Sequence, residues 1–148
     1  MSLEGEYEPS QWDWVRDQVE KYESSGGREG TTLLDTGMPV VLITMKGKAS
    51  GRIRKAPVMR VEHGGQYGIV ASKGGDPKNP GWYSNLKAHP EDVRIQDGTR
   101  TYDVTVRELE GDEREQWWRR AVAAYPPYEE YQANTARTIP VLLATPKS

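Results

Sequence analysis

Four apolar or aromatic residues, Trp12, Val15, Val19 and Tyr22, recur at three- and four-residue intervals near the start of the chain. That spacing stacks side chains on one helix face, so a helix is predicted over residues 11–24, within an N-terminal helical unit of 10–25. Ser10 is its expected N-cap, Asp13 supplies an acid three residues on, and the glycines of SSGG end it. Residues 1–9 are polar and expected to be loose. The helix face is read as packed on the core. Covering a ligand or touching a membrane is the alternative, although Asp13, Asp17, Glu20 and Glu23 disfavour an anionic lipid surface.

From Pro39 the period changes. PVVLITM is short and β-branched, KGKASGR reads as a turn, and RKAPVMRVEH resumes an extended segment with Val58, Arg60 and Glu62 alternating against Pro57, Met59 and Val61. HGGQ is a hairpin signal before the strand YGIVA. Asn79-Pro80 is read as an N-cap followed by a proline at the first helical position, opening GWYSNLKAH. DVRIQ and TYDVTVREL are strands around the Asp97-Gly98 turn. A helix over 112–125, a Pro126-Pro127 break, a short helix over 127–134 and the strand TIPVLLAT complete the chain. With the second helix near 80–88, six or seven hairpin-joined strands fit an α+β fold on an antiparallel barrel, not a parallel sheet. One domain over 1–148 is expected.

Composition narrows the chemistry. A chain of 148 residues buries roughly 68–70% of its unfolded surface, enough for a core and a cleft. It has no cysteine, which excludes thiolate nucleophiles and Cys-ligated zinc, and its two histidines, His63 and His89, sit beside polar or turn residues. No metal site is expected. Without a G-x-S-x-G stretch, a serine hydrolase has little support. The apolar runs are too short to span a bilayer, so a cytoplasmic protein with at most peripheral membrane contact is expected. Net charge is −2, yet residues 36–61 carry six basic side chains and no acidic one, while 108–130 carry seven carboxylates. A local basic stripe on an acidic protein fits a small polyanion better than nucleic acid.

Two glycine-rich basic turns stand out. In GKASGRIRKAP, Lys48, Arg52, Arg54 and Lys55 flank glycines whose amides could form an anion nest, although a solvated hairpin gives the same pattern. In SKGGDPKNP, Lys73 and Lys78 follow the end of a strand. Both turns facing one groove would suit a ligand with a phosphodiester and carboxylates. Trp82, Tyr83, Tyr125, Tyr128 and Tyr131 could line a pocket for a planar ring; tyrosines tucked into the core are the other reading.

KASGRIRKAPVMRV, YGIVASKGGDPKNPGWYSNLKAHP and YPPYEEYQANTARTIPV together resemble the deazaflavin-dependent nitroreductase and quinone reductase family of actinobacteria, which uses coenzyme F420. The resemblance runs from about Pro39 to the C-terminus. It implies a split β-barrel of the flavin-reductase type with flanking helices. It also implies a cofactor groove in which the loop of Lys48, Ala49, Ser50, Gly51, Arg52, Ile53 and Arg54 meets the phosphate and oligoglutamate tail. By the same likeness Pro57 flanks the ring, Ala71, Ser72, Lys73, Gly74 and Gly75 offer a strand end to the deazaflavin, and Gly81, Trp82 and Asn85 pack on the cofactor. Tyr125, Tyr128 and Tyr131 match substrate-side tyrosines. Ala49 stands where relatives often have lysine, Gly81 replaces a larger residue, and Met59 replaces the tyrosine of the nitroimidazole-reducing member.

The implied reaction is hydride transfer from the reduced deazaflavin to a quinone, enone or nitro acceptor. Tyr128 or Tyr131, with Ser72 opposite, would hydrogen-bond the acceptor oxygen. Flavin mononucleotide is the less favoured cofactor, and a non-catalytic binder of the deazaflavin or of haem is the competing class. The expected state is a monomer or weak dimer.

Overall fold

A computed structural model describes residues 6–32, 37–48, 50–72 and 81–147. The first strand, β1 (Val40–Lys46), explains the architecture. Val40 and Leu42 enter one core cluster, while Val41, Ile43 and Met45 enter another. An unbroken apolar run is what a strand buried on both faces requires.

Six further strands follow: β2 (Ile53–Met59), β3 (Glu62–His63), β4 (Gln66–Val70), β5 (Val93–Asp97), β6 (Arg100–Glu108) and β7 (Val141–Pro146). They form one sheet in the order β2-β1-β5-β6-β7-β4-β3, with every neighbouring pair antiparallel. Helices α1 (Asp13–Ser24), α3 (Gly111–Ala124) and α4 (Pro127–Ala133) cover one face through Val19, Tyr22, Trp117, Ala121 and Tyr128. Leu86 of α2 (Gly81–Ala88) joins the other cluster, inside the curl. The sheet curls until β2 and β4 approach each other without a ladder between them. This is the expected split barrel, and the split is where a cleft can open.

Local details follow from chemistry. Register His63↔Gln66 leaves Gly64 and Gly65 as a two-residue hairpin loop, both at positive φ (61° and 82°), where side chains bearing Cβ would be strained. The Tyr22 hydroxyl accepts from Gly98 N at 2.7 Å and donates to Gln96 O at 3.0 Å, so α1 secures the β5–β6 turn.

Three expectations need correction. Ser10 is not the N-cap; Trp12 is, and Ser10 Oγ instead accepts from the Trp12 amide at 3.1 Å. The long segment RKAPVMRVEH is two strands, since Arg60 N turns aside to Pro39 O. Its alternation holds, with Val58 in one cluster and Met59 and Val61 in the other, so both faces are buried there. The Asn79-Pro80 cap lies outside the described residues. Within 1–9, Glu8 N donates to Ile53 O and Ile53 N to Glu6 O, making Tyr7 a parallel bridge to β2. Among the described residues, no helix is long and apolar enough to cross a membrane.

Candidate functional site

A cavity of about 1210 Å³ opens along the split. Its floor is β2 from Arg54 to Met59 with Val70 and Ser72 at the end of β4. Gly81, Trp82 and Asn85 of α2 form one wall, and Tyr125, Tyr128 and Tyr131 form another. Of the residues expected at a site, Arg54, Pro57, Ser72, Gly81, Trp82, Asn85, Tyr128 and Tyr131 are brought together here. Met59 also lines it, where the sequence comparison had placed it.

Other expected residues lie elsewhere. Lys48, Ser50 and Arg52 are exposed, Gly51 is half-buried, Ile53 is buried beneath the N-terminal segment, and Ala71 is buried in the core cluster inside the curl. Ala49, Lys73, Gly74 and Gly75 fall outside the described residues. Three amides of the β1–β2 turn are taken up within the fold. Lys48 N donates to Asn85 Oδ1 at 2.9 Å, Gly51 N to Gly47 O at 3.1 Å and Arg52 N to Ser50 Oγ at 3.1 Å. Those amides serve the turn and tie it to α2, leaving side chains to meet an anion.

The basic stripe is largely paired. Arg54 meets Glu8 at 3.2 Å, Lys55 meets Glu23 at 2.6 Å, and Arg60 meets Asp97 at 2.9 Å. Lys48 has no ion pair among the described residues. Arg137 donates to the carbonyls of Ala71 (3.1 Å) and Ser72 (2.7 Å), bracing the end of β4 from behind.

The tyrosines form a tight group. Tyr125 and Tyr128 rings lie 5.0 Å apart and edge-on, and Tyr131 is 6.1 and 6.2 Å from them. The hydroxyls of Tyr125 and Tyr131 hydrogen-bond at 3.1 Å. Tyr128 is only 4% exposed, yet its hydroxyl has no hydrogen-bond partner among the described residues. Burial pushes the Tyr128 phenol well above its usual range. The hydrogen bond to Tyr125, then burial, pushes Tyr131 up to about 12. Tyr128 and Tyr131 are therefore neutral donors at physiological pH.

Sequence reasoning held the fourth side only as the alternative to core packing. Glu8, Trp12, Trp14, Val15 and Arg16 line the cavity from the N-terminal segment and the first turn of α1. Only the later part of α1, at Val19 and Tyr22, behaves as a core helix. Trp12 and Trp14 remain 60% and 42% exposed. A signal was present: residues two apart cannot share one helix face, so Trp14 could not join Trp12 on the core stripe.

The arrangement resembles known proteins. The family model for F420H(2)-dependent quinone reductases matches residues 14–146. A Mycobacterium tuberculosis F420H(2)-dependent quinone reductase is 35% identical over 127 residues, 84% of each chain. A solved F420-H2 dependent reductase (FDR-A) is 58% identical, with TM-score 0.68 over 72% of this chain and 93% of that one. Another solved relative, described as a domain-swapped dimer, is 54% identical, with TM-score 0.70 over 91% of this chain and 99% of its own.

Proposed function

This chain belongs to the F420H(2)-dependent quinone reductase family, an oxidoreductase family whose cofactor is coenzyme F420, and we propose that it reduces a quinone held in the cavity. Enones of similar shape fall within the same reading. A nitro acceptor is the weaker case, since Met59 offers no hydroxyl at the cavity wall.

The donor set fits the group. At about 1210 Å³ the cavity exceeds the roughly 300–1,000 Å³ of an ordinary single-ligand pocket, so a large cofactor and an acceptor can share it. Arg54 and the aromatic walls of Trp82 and the tyrosines line the same cavity. Lys48, Ser50, Gly51 and Arg52, beside Arg54, are proposed to serve the anionic arm from the rim. Ala49, Lys73, Gly74 and Gly75 are carried with them by family likeness, as are Ile53 and Ala71, whose main-chain groups already bond within the fold.

When bound, reduced F420 supplies a hydride from a ring carbon. The chain's own residues do the rest. Pro57, Trp82 and Tyr128 present apolar faces that exclude water and orient planar groups. Tyr128 donates its free hydroxyl proton in a hydrogen bond to the acceptor oxygen as negative charge builds there. Ser72, buried just past the end of β4 and lining the same cavity, is the second candidate donor. In the Tyr125–Tyr131 pair one hydroxyl proton bridges, so one donor remains to face the cavity. Because Tyr128 and Tyr131 hold their protons firmly, they act as donors, and water completes the proton transfer.

The observation that carries this reading is Tyr128 on the wall of an aromatic cavity, a side chain only 4% exposed whose hydroxyl has no partner among the described residues. By likeness to the domain-swapped relative, a second copy of this chain is the proposed protein partner. The test is to titrate the protein with oxidised F420 and with flavin mononucleotide, then follow oxidation of the reduced cofactor by menadione. Tight F420 binding with menadione turnover is expected. Preference for the flavin, or binding without turnover, would overturn the proposal.

A further inference from the structure

Glu8 occupies the position where a ligand's anionic end is expected. Its carboxylate lines the same cavity as Arg54, with Oε2 3.2 Å from Arg54 Nη1 and Oε1 3.9 Å from Arg52 Nη1. Arg52 and Arg54 flank Ile53, and period-two geometry puts both on one side of the strand. The main chain delivers Glu8 there, through its N–H to Ile53 O at 2.9 Å and Ile53 N–H to Glu6 O at 2.8 Å. One carboxylate between two guanidiniums leaves a formal excess of one positive charge. The side chains of Glu8, Arg54 and Arg52 are 38%, 35% and 54% exposed. Ion pairs this open to water brace a fold weakly and exchange easily.

We propose that Glu8 is an internal competitor: it holds Arg52 and Arg54 until the phosphate or carboxylates of the cofactor's anionic arm replace it, and so sets the affinity for that arm. The exchange is balanced, because Glu8 regains water as the ligand anion gives up its own. It also makes the site selective, since a ligand lacking an anionic arm has nothing to trade for the Glu8 contact. The proposal rests on the cofactor reading above.

The test compares wild type, Glu8→Gln, Glu8→Asp and Glu6→Gln by fluorescence titration with oxidised F420 at low and high salt. A parallel titration uses the ribityl deazaflavin core stripped of phosphate and glutamates. Glu8→Gln should bind F420 about two- to fivefold more tightly than wild type at low salt, with the gain shrinking at high salt. The gain should vanish for the stripped core. Glu8→Asp, which keeps the charge, should stay nearer wild type. Glu6→Gln should match wild type, because Glu6 contributes its main chain and its side chain is exposed. Binding by wild type with equal or weaker binding by Glu8→Gln overturns the competitor and spares the cofactor reading. Failure of wild type to bind F420 overturns both.

Discussion

The hydroxyls of Tyr125 and Tyr131 lie 3.1 Å apart, while that of Tyr128, between them in sequence, has no partner among the described residues. The three phenols are thus unequal. Tyr128→Phe should lower turnover with menadione by roughly ten- to a thousand-fold with little change in F420 affinity, the signature of a donor needed as charge develops. Tyr131→Phe should cost less, since Tyr125 remains. Stopped-flow and steady-state oxidation of the reduced cofactor would decide, and equal rates for all three proteins would remove these hydroxyls from the mechanism.

The pH behaviour follows from the same phenols. Burial and then the hydrogen bond to Glu108 push Tyr83 up to about 12, and Tyr131 reaches about 12 as well. Both folded values stand above the ordinary value of 10. Their contribution to stability is therefore complete below pH 10 and is lost as pH rises through the folded values. Thermal melts should be flat from these groups between pH 7 and 10 and fall above it, less steeply in Tyr83→Phe. Burial pushes the Glu108 carboxyl up, but hydrogen bonds from Tyr83 and Lys87 outweigh it and hold the group below its usual range. Its contribution is present above the ordinary carboxylate range and fades as pH falls through the lowered value. Turnover should show no ionisation from Tyr128 or Tyr131 below pH 10.

Arg54 tests the anionic end of the cavity. Arg54→Ala should weaken F420 binding several-fold at low salt and less at high salt, because the lost Coulomb attraction is partly screened. Lys48→Ala should act in the same direction but less, since Lys48 is exposed and lies outside the cavity lining. Unchanged affinity for both at low salt would remove the anion assignment from this turn.

Acceptor choice turns on Met59, buried at the cavity floor. Menadione should be reduced faster than a bicyclic nitroimidazole. Paired assays with the two acceptors would show it, and a faster nitroimidazole reaction would reverse the reading of that position.

Gly27 carries a stability prediction. It sits at φ +82°, and a Cβ there would meet Gly98 O at 1.6 Å. Gly27→Ala should cost roughly 1–3 kcal/mol or more by urea unfolding. Gly26→Ala, at φ +66° but facing only the flexible end of Arg28 at 3.5 Å, should cost less. Equal losses would mean that the close approach to the β5–β6 turn contributes nothing.

The barrel was legible in the sequence because its signals are local. Strand β1 needs apolar residues on both faces and has them, Gly64-Gly65 demands a two-residue hairpin, and the Pro126-Pro127 step separates two helices within a residue of the observed ends. Pro57 was reached through motif likeness, whereas Trp82 and the tyrosines were candidates for a ring pocket from residue type and spacing. What sequence could not supply was pairing across distance. Glu8 and Arg54 are 46 residues apart, Lys55 and Glu23 are 32 apart, and nothing local marks either partner. A run of six cations therefore read as a free basic stripe when much of it is neutralised in the fold. The turn amides misled for a related reason: glycine allows a nest, but Asn85, 37 residues away from Lys48, claims an amide first.

The parallel bridge between Tyr7 and Ile53 has a bearing on association between molecules. Strand β2 ends the sheet, and the tail laid along it occupies both main-chain groups of Ile53. Trimming the chain to Ser10 would bare that rim, turning its idle amide and carbonyl into a template on which another polypeptide could lay a strand. The first residues thus act as a guard rail, and their removal should convert a well-behaved protein into one that self-associates as its concentration rises.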